Sequence, residues 1–290
     1  MSLDLGEIAA IISTAFFTTG DTASKRVDER LGEKVAAVAV LGIGCISILM
    51  YLILFGGSTG LNSYQLELIV LAAALLGSDY LLIYDTLETE QVSNTWVLFE
   101  SSSVILVLFG VVFLSETLNA VEIISMLAIF LGALLVITDS KFKVNMKLMP
   151  AVIGSTLWAL SNIPIIYAIQ SSHGFIMPML LERGMACAVV LVYIIATKRR
   201  SPAAKTFKKQ NRIDLGTAAA TLISGIFDGA GMVALGYVFL SNTVALGGVF
   251  LALEPALILL LGRVFYKDRL TKMQLIGSVV MIIGALALSV

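Results

Sequence analysis

Residues 113–118 read Phe113-Leu114-Ser115-Glu116-Thr117-Leu118, and residues 265–270 read Phe265-Tyr266-Lys267-Asp268-Arg269-Leu270. Sixteen residues after Glu116 stands Gly132-Ala133-Leu134, and sixteen after Asp268 stands Gly284-Ala285-Leu286, so both pairs are offset by 152 residues. Earlier in the chain Ser155-Thr156-Leu157-Trp158 echoes Ser13-Thr14-Ala15-Phe16 at an offset of 142. The chain therefore reads as two related halves, 1–140 and 141–290.

Each half is made of long apolar runs. About 20 mostly apolar residues cross the hydrocarbon core as a helix. Ten such stretches follow one another: 4–24, 35–55, 64–86, 92–114, 118–138, 147–169, 177–197, 213–239, 242–264 and 271–290. That is five per half. An odd number makes the second half enter the membrane upside down relative to the first, a design that recurs in secondary transporters. The expected fold is all-α and integral to the membrane, with ten transmembrane helices in two inverted five-helix repeats. The runs are continuous and do not alternate every second residue, so a β-barrel is excluded. The first run has no basic segment before it and no small-residue cleavage site after it, and reads as a span.

Composition agrees. Of 290 residues, 58% are apolar and 13% charged, and mean hydropathy is +0.97. A soluble domain has no means of hiding that much apolar surface. A formal net charge of −1 gives no sign of a nucleic-acid partner. Cys45 and Cys187 lie inside apolar runs and form neither a disulfide framework nor a zinc site. No cofactor and no metal is called for.

The basic residues set the expected sidedness. They gather after the first run (Lys25, Arg26, Arg30, Lys34), the fifth (Lys141, Lys143, Lys147), the seventh (Lys198 to Arg212) and the ninth (Arg263, Lys267, Arg269, Lys272). The opposite connections, 56–63, 115–117, 170–176 and 240–241, hold no Lys or Arg. Positive charge stays cytoplasmic during insertion. Both termini are therefore expected on the extracytoplasmic side of the cell membrane.

The motif Phe-Leu-x-Glu-x-Leu, followed by a short link and an apolar helix ending in Gly-Ala-Leu, resembles the end of an EamA domain. The C-terminal copy, with Leu253-Glu254-Pro255-Ala256, Phe265 to Leu270 and Gly277, resembles it more closely, as does Arg183 at the start of the seventh run. The resemblance covers the whole chain as two five-helix units. It implies the drug/metabolite transporter superfamily, whose members move small polar metabolites or drugs through a central cavity. The first half departs from the second in carrying Ser102-Ser103 where the second has Glu254-Pro255.

A charged side chain near the bilayer centre costs about 2.5–3.5 kcal/mol on insertion scales and is a functional candidate by default. Asp79, Glu100, Glu182, Asp228 and Glu254 lie well inside the runs, against one deep base, Arg183. Several acids must be protonated, wetted by a cavity, or matched by a cation from outside. Glu254 precedes Pro255, which frees a carbonyl one turn earlier and breaks the helix where the carboxyl sits. Glu100 stands near the matching place in the first half. Trp96, Trp158, Asn162 and Tyr80 supply flat walls with hydrogen-bonding edges, and Asn162 with Pro164 points to a second helix break. Glu182 and Arg183 serve as a gate or as an anchor for a carboxylate, although neighbours on a helix point about 100° apart. For each acid the other reading is an interhelical hydrogen bond, and for Trp158 it is packing.

These features favour a secondary active transporter that moves a small polar solute by alternating access. The surplus of acids favours amino-acid-like or cationic compounds, with the proton as coupling ion. A divalent-cation carrier or a channel is the alternative, though no signature filter is present. A membrane enzyme needs a nucleophile with a base, or a metal cluster. The single His173 lies in an outer connection and supplies neither. The partners are thus a small molecule and the lipid bilayer. The Gly225-to-Gly229 spacing reads as helix packing, which leaves both monomer and homodimer open.

Overall fold

The computed structural model describes residues 5–99, 102–113, 120–137, 146–198, 214–241, 244, 248, 251, 254–269 and 271–288. Among these the chain is helical, with no strand. The first half holds α1 (Leu5–Leu31), α2 (Glu33–Phe55), α3 (Ser63–Thr89), α4 (Val92–Phe99), α5 (Ser102–Phe113) and α6 (Ala120–Ile137). The second holds α7 (Met149–Ser172), α8 (Ile176–Lys198), α9 (Leu215–Leu240), α10 (Glu254–Leu261) and α11 (Lys272–Leu288). A π-turn, Gly262–Tyr266, follows α10 directly. Glu100 lies outside the described residues, as do Lys141, Lys143 and the basic run 199–212.

Five segments are long and apolar enough to cross a bilayer: Glu33–Phe55, Ser63–Glu88, Met146–Ser172, Ile176–Thr197 and Leu215–Leu240. Shorter apolar helices occupy Ser102–Phe113, Ile123–Gly132, Leu257–Tyr266 and Lys272–Gly284. Their outward faces are large aliphatic side chains. Ile53 on α2 is 73% exposed and Val192 on α8 is 64% exposed. Ile124, Leu127 and Leu131 on α6, with Ile276 and Ile283 on α11, continue the belt. Apolar surface on this scale is stable against lipid and unstable against water.

Local chemistry fixes the helix ends. α1 and α2 are separated only by Gly32, whose φ of 80° is a conformation that a side chain rarely adopts. α3 opens with a capping box, in which Asn62 accepts from the Gln65 N–H and Gln65 accepts from the Asn62 N–H. Asp214 caps α9 by accepting from the Thr217 N–H at 2.6 Å. α7 carries Pro150 in its first turn, where the missing N–H costs nothing. It also carries Pro164 in its interior and is nevertheless one helix from Met149 to Ser172. The break expected at Pro164 is thus not an interruption. Packed neighbours hold the helix across the one missing donor. Pro255 is the second residue of α10, and residues 252–253 just before that helix are outside the described residues.

Helix packing repeats between the halves. α1 lies against α9, and α7, the counterpart of α1, lies against α3, the counterpart of α9. α2 lies against α9, and α8 lies against α3 in the same exchanged way. Two counterpart pairs pack on each other, α2 with α8 and α6 with α11. Both run antiparallel. Cys187 Sγ reaches the Val38 carbonyl and Cys45 Sγ the Leu180 carbonyl. Gly132 faces Gly277 and Met281, whereas Gly284 faces Ser125 and Ile129.

The two ends of the bundle differ in polarity. At one end, Lys25 Nζ donates to the carbonyls of Leu87 and Glu90, closing the last turn of α3. Arg26 meets Asp214 at 3.2 Å, Tyr266 donates to the Thr22 carbonyl at 2.7 Å, and Lys34 lies over the Tyr193 ring. At the other end the ties among the described residues are neutral. Gln65 donates to Ser171 at 3.3 Å, and Phe175 meets Tyr237 edge to face.

Candidate functional site

Halfway along the helices a cavity opens between the two halves. It encloses about 440 Å³ of free space, its open mouth included. α1 contributes Phe17 and Asp21; α3 contributes Asp79, Tyr80, Ile83 and Tyr84; α4 contributes Trp96 and Phe99. Trp158 comes from α7, Arg183 from α8 and Asp228 from α9, with Leu251 and Glu254 completing the wall. Four carboxyl groups and six aromatic rings thus surround one guanidinium.

Arg183 and Asp228 form the fixed part. Arg183 is 1% exposed and Asp228 5%. The guanidinium Nη2 donates to Asp228 Oδ1 at 3.1 Å, and Nη1 donates to the Tyr80 hydroxyl at 2.6 Å. That hydroxyl donates in turn to the same Asp228 Oδ1 at 2.6 Å. The phenol therefore uses its one proton toward the acid and a lone pair toward the base. Its ring also lies 5.3 Å from the guanidinium carbon, within cation–π range. Close approach of α2 and α9 makes this possible. A Cβ on Gly229 would come 2.5 Å from the Gly44 carbonyl, and a Cβ on Gly44 would come 2.7 Å from Asp228 Oδ2.

The hydrogen-bond partners of Arg183 are thus Tyr80 and Asp228, and not its chain neighbour Glu182. Arg183 turns from its chain neighbour to an acid 45 residues away on another helix. The reason is the angle between adjacent helical side chains: α8 presents Arg183 to α3 and α9 and sends Glu182 elsewhere. Glu182 is buried, its Oε2 has no hydrogen-bond partner among the described residues, and it is not on the cavity wall.

Asp79 comes from α3, the counterpart of α9, and is 1% exposed. Its Oδ1 has no hydrogen-bond partner among the described residues. Gly154 leaves room for it, since a Cβ there would come 2.9 Å from that oxygen. The aromatic wall is continuous. Trp96 and Phe99 meet at 5.2 Å between ring centres, and Phe99 and Trp158 at 5.6 Å. The Trp96 indole N–H is buried and also without a partner among the described residues.

Of the residues expected at the site, Asp79, Tyr80, Trp96, Trp158, Arg183, Asp228 and Glu254 share this cavity. Asn162 does not. Its Nδ2 donates at 2.8 Å to the Trp158 carbonyl one turn back on its own helix, a local bond that Asn commonly makes. Asp21 also lines the cavity. α1 runs on to Leu31, so Asp21 sits well inside it, and Lys25 is occupied by the end of α3. Phe17, Ile83, Phe99 and Leu251 were not singled out in the sequence. Phe17 follows directly on the Ser13–Phe16 repeat of Ser155–Trp158, and that repeat was the available signal.

A solved crystal structure of a protein matches the fold with a TM-score of 0.67 over 97% of this chain and 95% of that one, at 14% identity. Comparison with curated proteins finds no match. The family model described as the EamA-like transporter family matches twice, over residues 4–138 and 146–290. The chain is therefore an integral membrane protein that belongs to the EamA-like transporter family.

Proposed function

We propose that this chain is a secondary active carrier of small cationic or amino-acid-like solutes that works by alternating access. The observation that carries the reading is the make-up of the cavity: four carboxyl groups, one of them held by Arg183, facing six aromatic rings. A negative, aromatic-walled hollow attracts a cation by charge and by the ring quadrupoles.

The same reading takes the ten-span count and both termini on the extracytoplasmic side. Two features support it. Counterpart helices run antiparallel, as an axis in the membrane plane requires. Lys25, Arg26 and Lys34 also share one end of the bundle with Asp214 and Tyr266, as alternate connections must. Rocking of one half against the other then exposes the cavity to each side in turn.

Glu254 is the carboxyl we assign to proton exchange. It is 1% exposed, lies on the cavity wall, and belongs to the half that alone carries an acid before a proline. A divalent cation is a poorer fit, because among the described residues no three His, Cys, Asp or Glu side chains stand close enough to hold one.

The test is uptake of labelled amines and amino acids into proteoliposomes under an imposed pH gradient. Saturable uptake that collapses with the gradient supports the reading. Glu254→Gln is expected to abolish the gradient-driven component while the protein still purifies as a folded species. Unchanged driven uptake in that variant removes Glu254 from the mechanism.

A further inference from the structure

Asp79 and Asp228 occupy the third helix of each half and face the same cavity, but among the described residues only Asp228 is hydrogen-bonded to a base. Asp228 accepts from both Arg183 and Tyr80 through Oδ1, and its Oδ2 has no partner among the described residues. Asp79 Oδ1 is as deeply buried and has no partner among the described residues. On the adjoining wall the Trp96 indole N–H is a buried donor without an acceptor among the described residues. An acceptor and a donor are thus both left open on one cavity.

We infer that Asp79 is the cation-binding group, taking the ammonium of a small amine, and that Trp96 donates to an oxygen elsewhere on the same molecule. This rests on the carrier reading and gives its substrate a class: a compact amine bearing an aromatic or aliphatic body and a hydroxyl, carbonyl or carboxylate oxygen. An ammonium matches a buried carboxylate in charge and brings three N–H donors. Phe99 and Trp158 supply faces that attract the same cation. Asp228 is not an equal competitor, since its charge is already balanced by Arg183 at 3.1 Å. The triad then acts as a positioning wall that holds Tyr80 toward the cavity.

The experiment uses tyramine, which carries an ammonium and a phenolic oxygen, and tyrosol, its neutral alcohol analogue. Binding of each to the purified full-length protein in detergent is measured at neutral pH. Tyramine is expected to bind at least about tenfold more tightly than tyrosol, and Asp79→Asn to weaken tyramine by at least about tenfold. Gly154→Ala keeps the carboxylate and crowds it, and is expected to weaken tyramine by about threefold with tyrosol unchanged. This second variant decides the matter if Asp79→Asn does not fold. Equal binding of tyramine and tyrosol, or tyramine binding that both variants leave intact, overturns the assignment, as does no tyramine binding to the unaltered protein. Failure of the carrier reading looks different: tyramine binds with the expected dependence on Asp79, yet no solute crosses proteoliposome membranes.

Discussion

Asp228 on α9 and Asp79 on α3 are the acids of corresponding helices, and they are held in opposite ways. Asp228 meets Arg183 at 3.1 Å and the Tyr80 hydroxyl at 2.6 Å, whereas Oδ1 of Asp79 has no partner among the described residues. The difference shows how a repeated architecture divides its labour. One half supplies a guanidinium that holds one oxygen of its acid, and the other supplies no hydrogen-bonded base to its acid among the described residues. Tyr80, one residue after Asp79, joins the two, because its phenol crosses from the first half to the acid of the second.

The largest effect is expected from Arg183→Gln, which strands a buried carboxylate. Loss of one partner of a buried pair costs about 3–5 kcal/mol. It should appear as a marked fall in the unfolding midpoint in detergent, and Arg183→Gln with Asp228→Asn should regain most of it. A single variant as stable as the parent would break the comparison, since Asp228 would then need no counter-charge.

Tyr80→Phe comes next. It removes a hydroxyl that serves both charged groups, and hydrogen bonds to charged groups contribute about 1.5–3 kcal/mol. Denaturation of the purified variant measures this. A much smaller loss would mean that the 3.1 Å contact between Arg183 and Asp228 suffices alone.

Asn62→Ala is expected to cost about 1 kcal/mol, because it opens the capping box at the start of α3. The helix that carries Asp79 and Tyr80 would fray at its far end. The same unfolding assay reads the loss, with Asn62→Ser expected to restore it.

Asp79→Asn is expected to leave the unfolding midpoint unchanged or raised, because it removes a buried charge whose Oδ1 has no hydrogen-bond partner among the described residues. A drop as large as that of Arg183→Gln would erase the contrast between the two acids and make Asp79 structural as well.

Much of this architecture was legible in the sequence. Spans are written in continuous apolar runs, and the paired Phe113 and Phe265 motifs placed the repeats. Deep charges are conspicuous in such runs, so Asp79, Asp228, Glu254 and Arg183 could be named without a structure. Their pairing could not. Whether Arg183 meets Glu182 or Asp228 depends on how closely α2, α8 and α9 approach, which Gly44 and Gly229 decide across distant parts of the chain. Asn162 misled for a local reason, since a polar side chain in an apolar helix can satisfy itself one turn back. Asp21 was not legible as a wall residue, because a rule of about 20 residues per span puts it near the end of the first run, whereas α1 continues to Leu31.

The central claim is that one cavity between two halves serves both sides of the membrane in turn. Counterflow tests it most directly. Proteoliposomes preloaded with unlabelled tyramine are diluted into a trace of labelled tyramine with no ion gradient. The account predicts transient accumulation of label above the outside concentration, because unlabelled solute inside competes with the label for the inward-facing site and slows its exit. Label that only equilibrates, at a rate indifferent to preloading, would contradict it and mark an open pathway instead.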